Sequence, residues 1–496
     1  MTEVVLGVDI GTLSSKGLLV GLDGQVLATA VREHEMSTPR PGWAEHDAER
    51  IWWGDCVEIT RELMQHGHQV VAVGVSGIGP CLLPCDADGD PLRPAILYGV
   101  DTRASEEIDQ LTAKYGADTI RARCGAVPTS QAAGPKLRWV RDREPDVWAR
   151  TAYVHMSNSF LTQRLTGAYV LDHPSASQFT PLYDPTAQAW IPEWVADVAG
   201  NLALPELAWP SDVVGTVTAE AAETTGLPAG VPVVAGTIDA WSESVSVGVK
   251  HRGDVMLMYG TTMFLIELTD SLLTWPTLWG TCGAFRDTYN LAAGMATSGA
   301  VTDWLRRITG SPFEDLVEEA RAVGPGAEGL VMLPYFSGER TPLFDADARG
   351  VVAGLTLRHG REHLYRAALE ATAFGVRHNL EAMGDAGGEA RRLVAVGGGT
   401  KGGLWTQIVS DVIGQPQQLP RSTVGAAYGN AVLAAFGSRA VTEPETERWN
   451  PVEHVVEPNP AHAEAYDRLY QQYRDLYPAT KDITHTLAAI QREGVG

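Results

Sequence analysis

The sequence predicts an α/β protein of two large domains, and three observations point there. Its 496 residues exceed what one ordinary hydrophobic core serves. Apolar strand-like runs alternate with helical periodicity along most of the chain. One local motif, a strand leading through a Gly-Thr turn into another strand, also occurs twice. Val4 to Ile10 runs into Gly11-Thr12 and then Ser14, Ser15 and Lys16. Far downstream, Val255 to Met258 runs into Tyr259-Gly260-Thr261-Thr262 and on to Phe264, Leu265 and Ile266. Glycine lets backbone come close, so such turns aim N–H groups and hydroxyls at an anion. Two of them suggest two related halves gripping one phosphate chain.

The elements follow in order. The first 35 residues read as a three-stranded meander, with Asp23-Gly24 turning between its second and third strands. Asp47 can cap a helix whose apolar residues Ile51, Trp52, Cys56, Ile59 and Leu63 fall at helical spacing. Val70 to Val75 is a buried strand ending at Ser76-Gly77, and residues 100–175 are mainly helical, with Lys136 to Val140 inside one helix. Prolines 192, 205, 210, 228 and 232 make the stretch from Trp190 to Pro232 loop-rich. Val233 to Gly236 is a short strand ending in a polar turn that holds Asp239. The domain boundary falls near Gly248 to Gly253, dividing the chain into residues 1–248 and 249–496. In the second half, Glu362 to Met383 is a long helix rich in small residues. Leu393 to Val396 is a strand broken at Gly397-Gly398-Gly399, and a helix follows with Leu404, Trp405, Ile408, Val409 and Val412 on one face.

Bulk composition is that of a soluble globular protein, 44% hydrophobic and 20% charged. No run of 18 or more apolar residues suggests a membrane span. The N-terminus lacks a basic and then apolar leader, so a cytoplasmic protein is expected. A net charge of −23 repels nucleic acid and anionic lipid. It does not forbid a phosphorylated ligand, which local dipoles and a metal can hold. The five cysteines (56, 81, 85, 124 and 282) are scattered and read as free buried thiols.

Three places can carry chemistry. Asp9, at a strand end beside Gly11 and Thr12, is placed to hold Mg²⁺, which takes one or two carboxylates plus phosphate oxygens. An Asp that merely satisfies turn N–H groups is the bland alternative. Gly397 to Gly403, between a strand and a helix, suits close approach of a nucleotide, although glycine-rich turns are common. The run fits G-x-G-x-x-G by spacing alone, since no acidic residue follows at the dinucleotide-binding distance of about 20 residues, and it is not a P-loop. Asp239, near the domain border, is the best-placed carboxylate to accept a hydroxyl proton during phosphoryl transfer, though an isolated Asp is most often a turn former. No G-x-S-x-G elbow and no HExxH occurs, which removes the common hydrolase readings.

Taken together, these segments resemble the FGGY family of carbohydrate kinases, in the actin and hexokinase superfamily. The carriers are Gly7-Val8-Asp9-Ile10-Gly11-Thr12 through Lys16, Val75-Ser76-Gly77, Lys136-Leu137-Arg138-Trp139 and Ala235 to Asp239. Further on come Tyr259-Gly260-Thr261-Thr262, Leu333 to Pro342 and Gly397 to Lys401. The segment from Gly350-x-Val352-x-Gly354-Leu355 through His363-Leu364 to Glu370 fits the family's C-terminal signature. They run in family order over nearly the whole chain. The resemblance implies two ribonuclease-H-like, actin-like ATPase domains with ATP and sugar in a central cleft. Residues 1–248 would take the sugar and the catalytic Asp239, and residues 249–496 the nucleotide. By motif, Asp9 takes the Mg²⁺ position. ATP would be lined by Thr12, Ser14, Lys16, Gly260, Thr261, Gly299, Asp303, Gly398, Gly399 and Gly403, and the sugar by Ser76, Gly79, Pro80, Asp101, Gln131 and Asp239.

The sugar side departs from the family pattern. Xylulokinases typically read Ser-Gly-Gln-Met-His-Gly where this chain has Ser76-Gly77-Ile78-Gly79-Pro80-Cys81. The Arg-Glu pair of glycerol kinases is absent there, and Trp is missing before Asp101-Thr102-Arg103. The implied activity is ATP-dependent phosphorylation of a small sugar, with a ketopentose such as xylulose as first choice. Ribulose, a tetritol or a pentitol stays open, as does a sugar or nucleotide sensor that has lost transfer. No nucleic-acid or membrane partner is expected, and a homodimer is left open.

Overall fold

The computed structural model describes residues 2–443 and 446–493. The chain packs as two compact units, one of Met1–Lys250, Leu268–Asn290 and Ser422–Pro451, the other of His251–Glu267, Leu291–Arg421 and Val452–Gly496. Among the described residues, no helix is long and apolar enough to cross a membrane. All five cysteines are free and buried, as expected.

The first unit is built on a mixed sheet. Its strands run, edge to edge, Val213–Thr216, Pro232–Val234, Gln69–Gly77, Glu3–Ile10, Ser14–Gly21 and Val26–Glu33. The last three form the antiparallel meander that the sequence predicts. Gly24, at φ 87°, makes the left-handed turn of Asp23-Gly24. Gln69–Gly77 lies parallel to Glu3–Ile10, which brings two strand ends, at Asp9 and Ser76, side by side.

Alternation along Glu3–Ile10 divides the core. Val4, Leu6, Val8 and Ile10 pack with Trp52, Cys56 and Ile59, which belong to the helical segments Ala48–Trp53 and Gly54–Met64. Asp47 caps this stretch, accepting from the Arg50 N–H as its sequence position suggests. Val5 packs on the opposite face against Ala427, Ala431 and Ala434 of the helix Ala426–Gly437. That helix settles close to the sheet because glycines lie beneath it. A side chain at Gly7 would run into the Ala427 carbonyl, and one at Gly74 into the Asn430 carbonyl.

The second unit repeats the strand order. Its sheet contains, in sequence across it, Tyr289–Met295, Met263–Thr269, Asp254–Tyr259, Arg392–Val396, Gln417–Pro420 and Val452–Val456. Again the first strand of a hairpin is flanked by a parallel strand from further along the chain, and a second parallel strand follows. The two-unit α/β fold expected from the sequence is therefore the one found. The small-residue helix spans Arg361–Asp385, and a helix of 31 residues spans Ala463–Glu493.

Two local expectations change. The loop-rich stretch from Trp190 to Pro232 contains helices Pro192–Ala199 and Ala219–Thr225 and strands Glu206–Ala208 and Val213–Thr216. Pro192 opens its helix because a first-turn residue needs no N–H partner. Asp239 is not in a turn. It is the first residue of the helix Asp239–Ser246, directly after the short strand Thr237–Ile238.

The contact at Gly7 yields a prediction. Gly7→Ala should lower the unfolding free energy by about 1–3 kcal/mol in denaturant titration, because the helix above it cannot recede without losing its own packing. An unchanged midpoint would show that the helix position is not set there.

Candidate active site

Strand register aligns a row of polar side chains in the first unit. Asp9 lies opposite Lys16 on one neighbouring strand and opposite Ser76 on the other, and Ser76 in turn pairs with Thr237. Partners in register present their side chains to the same face of a sheet, so Lys16, Asp9 and Ser76 converge. A chain of directed hydrogen bonds fixes Asp9. The Ser242 hydroxyl donates to Asn430 Oδ1 (2.7 Å). Asn430 Nδ2 donates to the Val8 carbonyl (2.8 Å) and to Ser76 Oγ (2.6 Å). With its oxygen occupied as acceptor, Ser76 donates to Asp9 Oδ1 (2.6 Å). Lys16 Nζ is anchored on the Val424 carbonyl (3.0 Å).

Asp239 enters this patch from the start of its helix. Its Oδ1 accepts from the Ala240 N–H (2.7 Å), as an anion at a helix N-terminus can. Burial and the nearby Asp9 charge push its carboxyl up to about 8, against the Ala240 N–H. Burial also raises Asp9, with the Ser76 hydroxyl and Lys16 opposing. One helical turn after Asp239, Glu243 is raised to about 7 by burial and by Asp9, with Lys16 lowering it. Three carboxylates thus crowd one region, with Lys16 as the cation that acts on two of them.

The expected sugar residues pack beside this region. Asp101 is buried and holds the Ala44 N–H (2.7 Å) and the Arg103 guanidinium. Arg103 in turn stacks over Trp43 at 3.8 Å and pairs with Glu45. Thr12 Oγ1 meets the Tyr98 hydroxyl at 3.1 Å, and the Asp101 N–H bonds the Tyr98 carbonyl, so the phosphate-type turn and the Asp101 loop are tied. Lys136 is buried, donates to the Ser130 carbonyl (2.6 Å) and is lowered to about 8 by burial. Lys136, Asp239 and Asp101 all act electrostatically on Cys81, which groups Asp239 with the Gly79-Pro80-Cys81 loop. Gln131 packs against Gly99, and Gly79 against Ile238, where a side chain at either glycine would collide.

In the second unit, the Gly260-Thr261 turn is bound to a helix start. The Gly299 N–H donates to the Gly260 carbonyl (3.0 Å), and the Ala300 N–H to the Thr261 carbonyl (3.1 Å). Behind Gly299, Glu339 Oε1 accepts from the Ala296 and Arg340 N–H groups, and burial raises it to about 8. Tyr259 lies against Gly397 and Gly399, so the turn also borders the glycine shelf. Gly398 and Gly403 are exposed on that shelf, and Gly403 sits at φ 73° just before the helix Leu404–Ile413. Asp303 is drawn into ion pairs with Arg306 and Arg307. Ser14 is exposed, and its carbonyl closes the first turn by accepting from the Gly11 N–H.

Comparison with known proteins decides the family. Residues 4–246 match the N-terminal domain of the FGGY family of carbohydrate kinases, and residues 255–438 match its C-terminal domain. The chain belongs to the FGGY family of carbohydrate kinases. It is 29% identical to the xylulose kinase of Lactococcus lactis, over 99% of each chain. It is 33% identical to the glycerol kinase of Nocardia farcinica, over 88% of this chain and 91% of that one. The crystal structure of xylulose kinase from Rhodospirillum rubrum superposes with a TM-score of 0.90 at 33% identity, covering 97% of this chain and all of that one. The protein is an ATP-dependent carbohydrate kinase.

Three features of this FGGY kinase escape a reading of its sequence. Glu243 could have been found from its i, i+4 spacing to Asp239, had Asp239 been placed on a helix. Asn430 and Ser242 carried no local signal, because their partners lie far along the chain. The carboxylate crowding also has a sign that can be checked. A carboxyl raised in the folded state contributes stability that is complete below its unfolded pKa and is lost as pH rises through its folded value. Asp239→Asn should therefore melt higher than wild type at about pH 8.5, the gap closing toward about pH 4. Equal melting temperatures across that range would mean that Asp239 is not held in a charge-repelling site.

Proposed function

We propose that this kinase transfers the γ-phosphoryl group of ATP to a hydroxyl of a small sugar, with a ketopentose such as xylulose as the preferred acceptor and Asp239 as the general base. The observation that carries the reading is the pairing of Asp239 with Asp9 at adjoining strand and helix ends. One carboxylate is there to take a proton and another to face phosphate. Asp239, raised by burial and by Asp9, holds a proton more tightly than an ordinary carboxylate, which suits it to accept one from an attacking hydroxyl. That acceptance contributes about 10²–10⁴-fold, and positioning with electrostatics supplies most of the remainder.

The residues fit a divalent cation. Among the described residues, no set of three or more His, Cys, Asp or Glu is arranged to hold a metal unaided. Mg²⁺ takes one or two carboxylates with phosphate oxygens, and Asp9 would hold it. When bound, Mg²⁺ neutralises charge on the phosphates. Thr12, Ser14 and Lys16 would line the phosphates from residues 1–248. Gly260, Thr261, Gly299, Asp303, Gly398, Gly399 and Gly403 would hold the nucleotide from residues 249–496. Ser76, Gly79, Pro80, Asp101 and Gln131 would shape the sugar pocket. With the nucleotide bound, Lys16 draws negative charge toward itself and the Gly11 turn offers N–H groups, so the acceptor oxygen meets a phosphorus stripped of part of its repulsion.

Relatives named xylulose kinase favour a ketopentose. A second reading, another ketose or polyol, is supported by the similarity to a glycerol kinase and by the Ile78-Gly79-Pro80-Cys81 loop. A coupled ADP-release panel of ketoses and polyols should give its highest kcat/KM with xylulose. Turnover with no sugar while ATP still binds would favour a sensor instead. Asp239→Ala should abolish transfer and leave ATP binding intact, whereas near-normal kcat would remove Asp239 from the role of base. Because the base must be ionised, kcat/KM for the sugar should rise with pH toward an inflection at about 8. A profile that falls across that range would contradict the assignment.

A further inference from the structure

We infer that His34, which lies outside the motifs quoted above, is a positioning residue that aims the Gly11–Ser14 turn at the nucleotide phosphates. The inference rests on the proposed phosphate role of that turn. His34 follows the third strand of the meander and lies beneath the turn, its side chain 3% exposed. It grips the turn at two points. Its backbone N–H donates to the Leu13 carbonyl (3.0 Å), and its ring Nε2 lies 3.1 Å from the Gly11 carbonyl.

A trans peptide holds its C=O and N–H on opposite sides of the chain. A Gly11 carbonyl drawn down toward His34 therefore turns the Thr12 N–H to the opposite side, and the Leu13 carbonyl does the same for the Ser14 N–H. Turning carbonyl oxygens away also removes the partial charges that would repel an anion.

The rest of the network fixes the ring. Nδ1 lies 2.8 Å from Asp55 Oδ2, and the Ser15 hydroxyl donates to the same oxygen (2.7 Å). Both ring nitrogens therefore face acceptors, an arrangement satisfied with an N–H at each. His46 packs edge-on at 5.2 Å and receives the Trp52 indole N–H at its Nδ1. Burial and His34 push His46 down to about 4, so His46 supports the ring as a neutral neighbour. Asp55 stands at the start of the helix Gly54–Met64, which gives the ring a rigid mount.

The test measures ADP binding by calorimetry and steady-state kinetics on full-length His34→Phe, His34→Gln and Gly11→Ala. Phe keeps the ring and loses both donors. Gln keeps one N–H within reach of the Gly11 carbonyl. A Cβ at Gly11 would press on the Ser14 carbonyl and deform the turn whatever His34 does. His34→Phe should weaken ADP binding and raise KM for ATP by about five- to ten-fold, with sugar KM and kcat within about two-fold of wild type, and His34→Gln should restore most of the loss. If His34→Phe binds ADP like wild type while Gly11→Ala binds weakly, the inference is wrong and the phosphate role of the turn stands. If neither variant weakens ADP binding, both readings fall. A loss that strikes ADP and sugar equally, follows the melting temperature and is not rescued by Gln would make His34 a fold residue only, and overturns the inference.

Discussion

Like charges forced together out of water govern this site. Asp9 ends a strand and Asp239 begins a helix, and each is raised by burial while Asp9 also raises Asp239. Such an arrangement opposes folding, so the surrounding structure must hold it in place. The sheet register sets Ser76 and Lys16 on either side of Asp9. Asn430 bridges the Val8 carbonyl and Ser76, and Ser242 orients Asn430. Removing any link leaves a buried polar group without its partner, which is more damaging than the loss of one surface hydrogen bond.

The same constraint explains the glycines under the helix Ala426–Gly437. Asn430 reaches both the first strand and Ser76 only because that helix lies close to the sheet, and the closeness requires bare backbone at Gly7 and Gly74. Packing and electrostatics are thus one arrangement. The second unit meets a parallel demand differently. Its Gly260-Thr261 turn is bonded to the start of the helix at Gly299, so its geometry depends on backbone rather than on a charged row.

Much of this was legible in the sequence where the signal was local. The meander, the Asp47 cap, the Asp23-Gly24 turn and both Gly-Thr turns follow from spacing and residue type over a few positions. Asp9 could be picked out because a carboxylate at a strand end beside Gly11-Thr12 is an uncommon juxtaposition. Asp239 stood out by its place near the domain border and by a family motif, although alone it resembled a turn residue and in fact starts a helix. Between Trp190 and Pro232, prolines suggested loops, yet Pro192 opens a helix, because proline breaks helix interiors and not first turns. The return of Ser422–Pro451 to the first unit, and with it Asn430, is set by long-range packing that no local pattern encodes.

Asp9 and Asp239 share one buried patch, in which the Asp9 charge helps hold the Asp239 carboxyl up. Titration of the Asp239 carboxyl by ¹³C NMR, in wild type and in Asp9→Asn, tests it most directly. The Asp239 carboxyl should titrate far above the ordinary carboxylate range in wild type, and clearly lower once Asp9 is neutral. An ordinary value in wild type, or one indifferent to Asp9, would contradict the account.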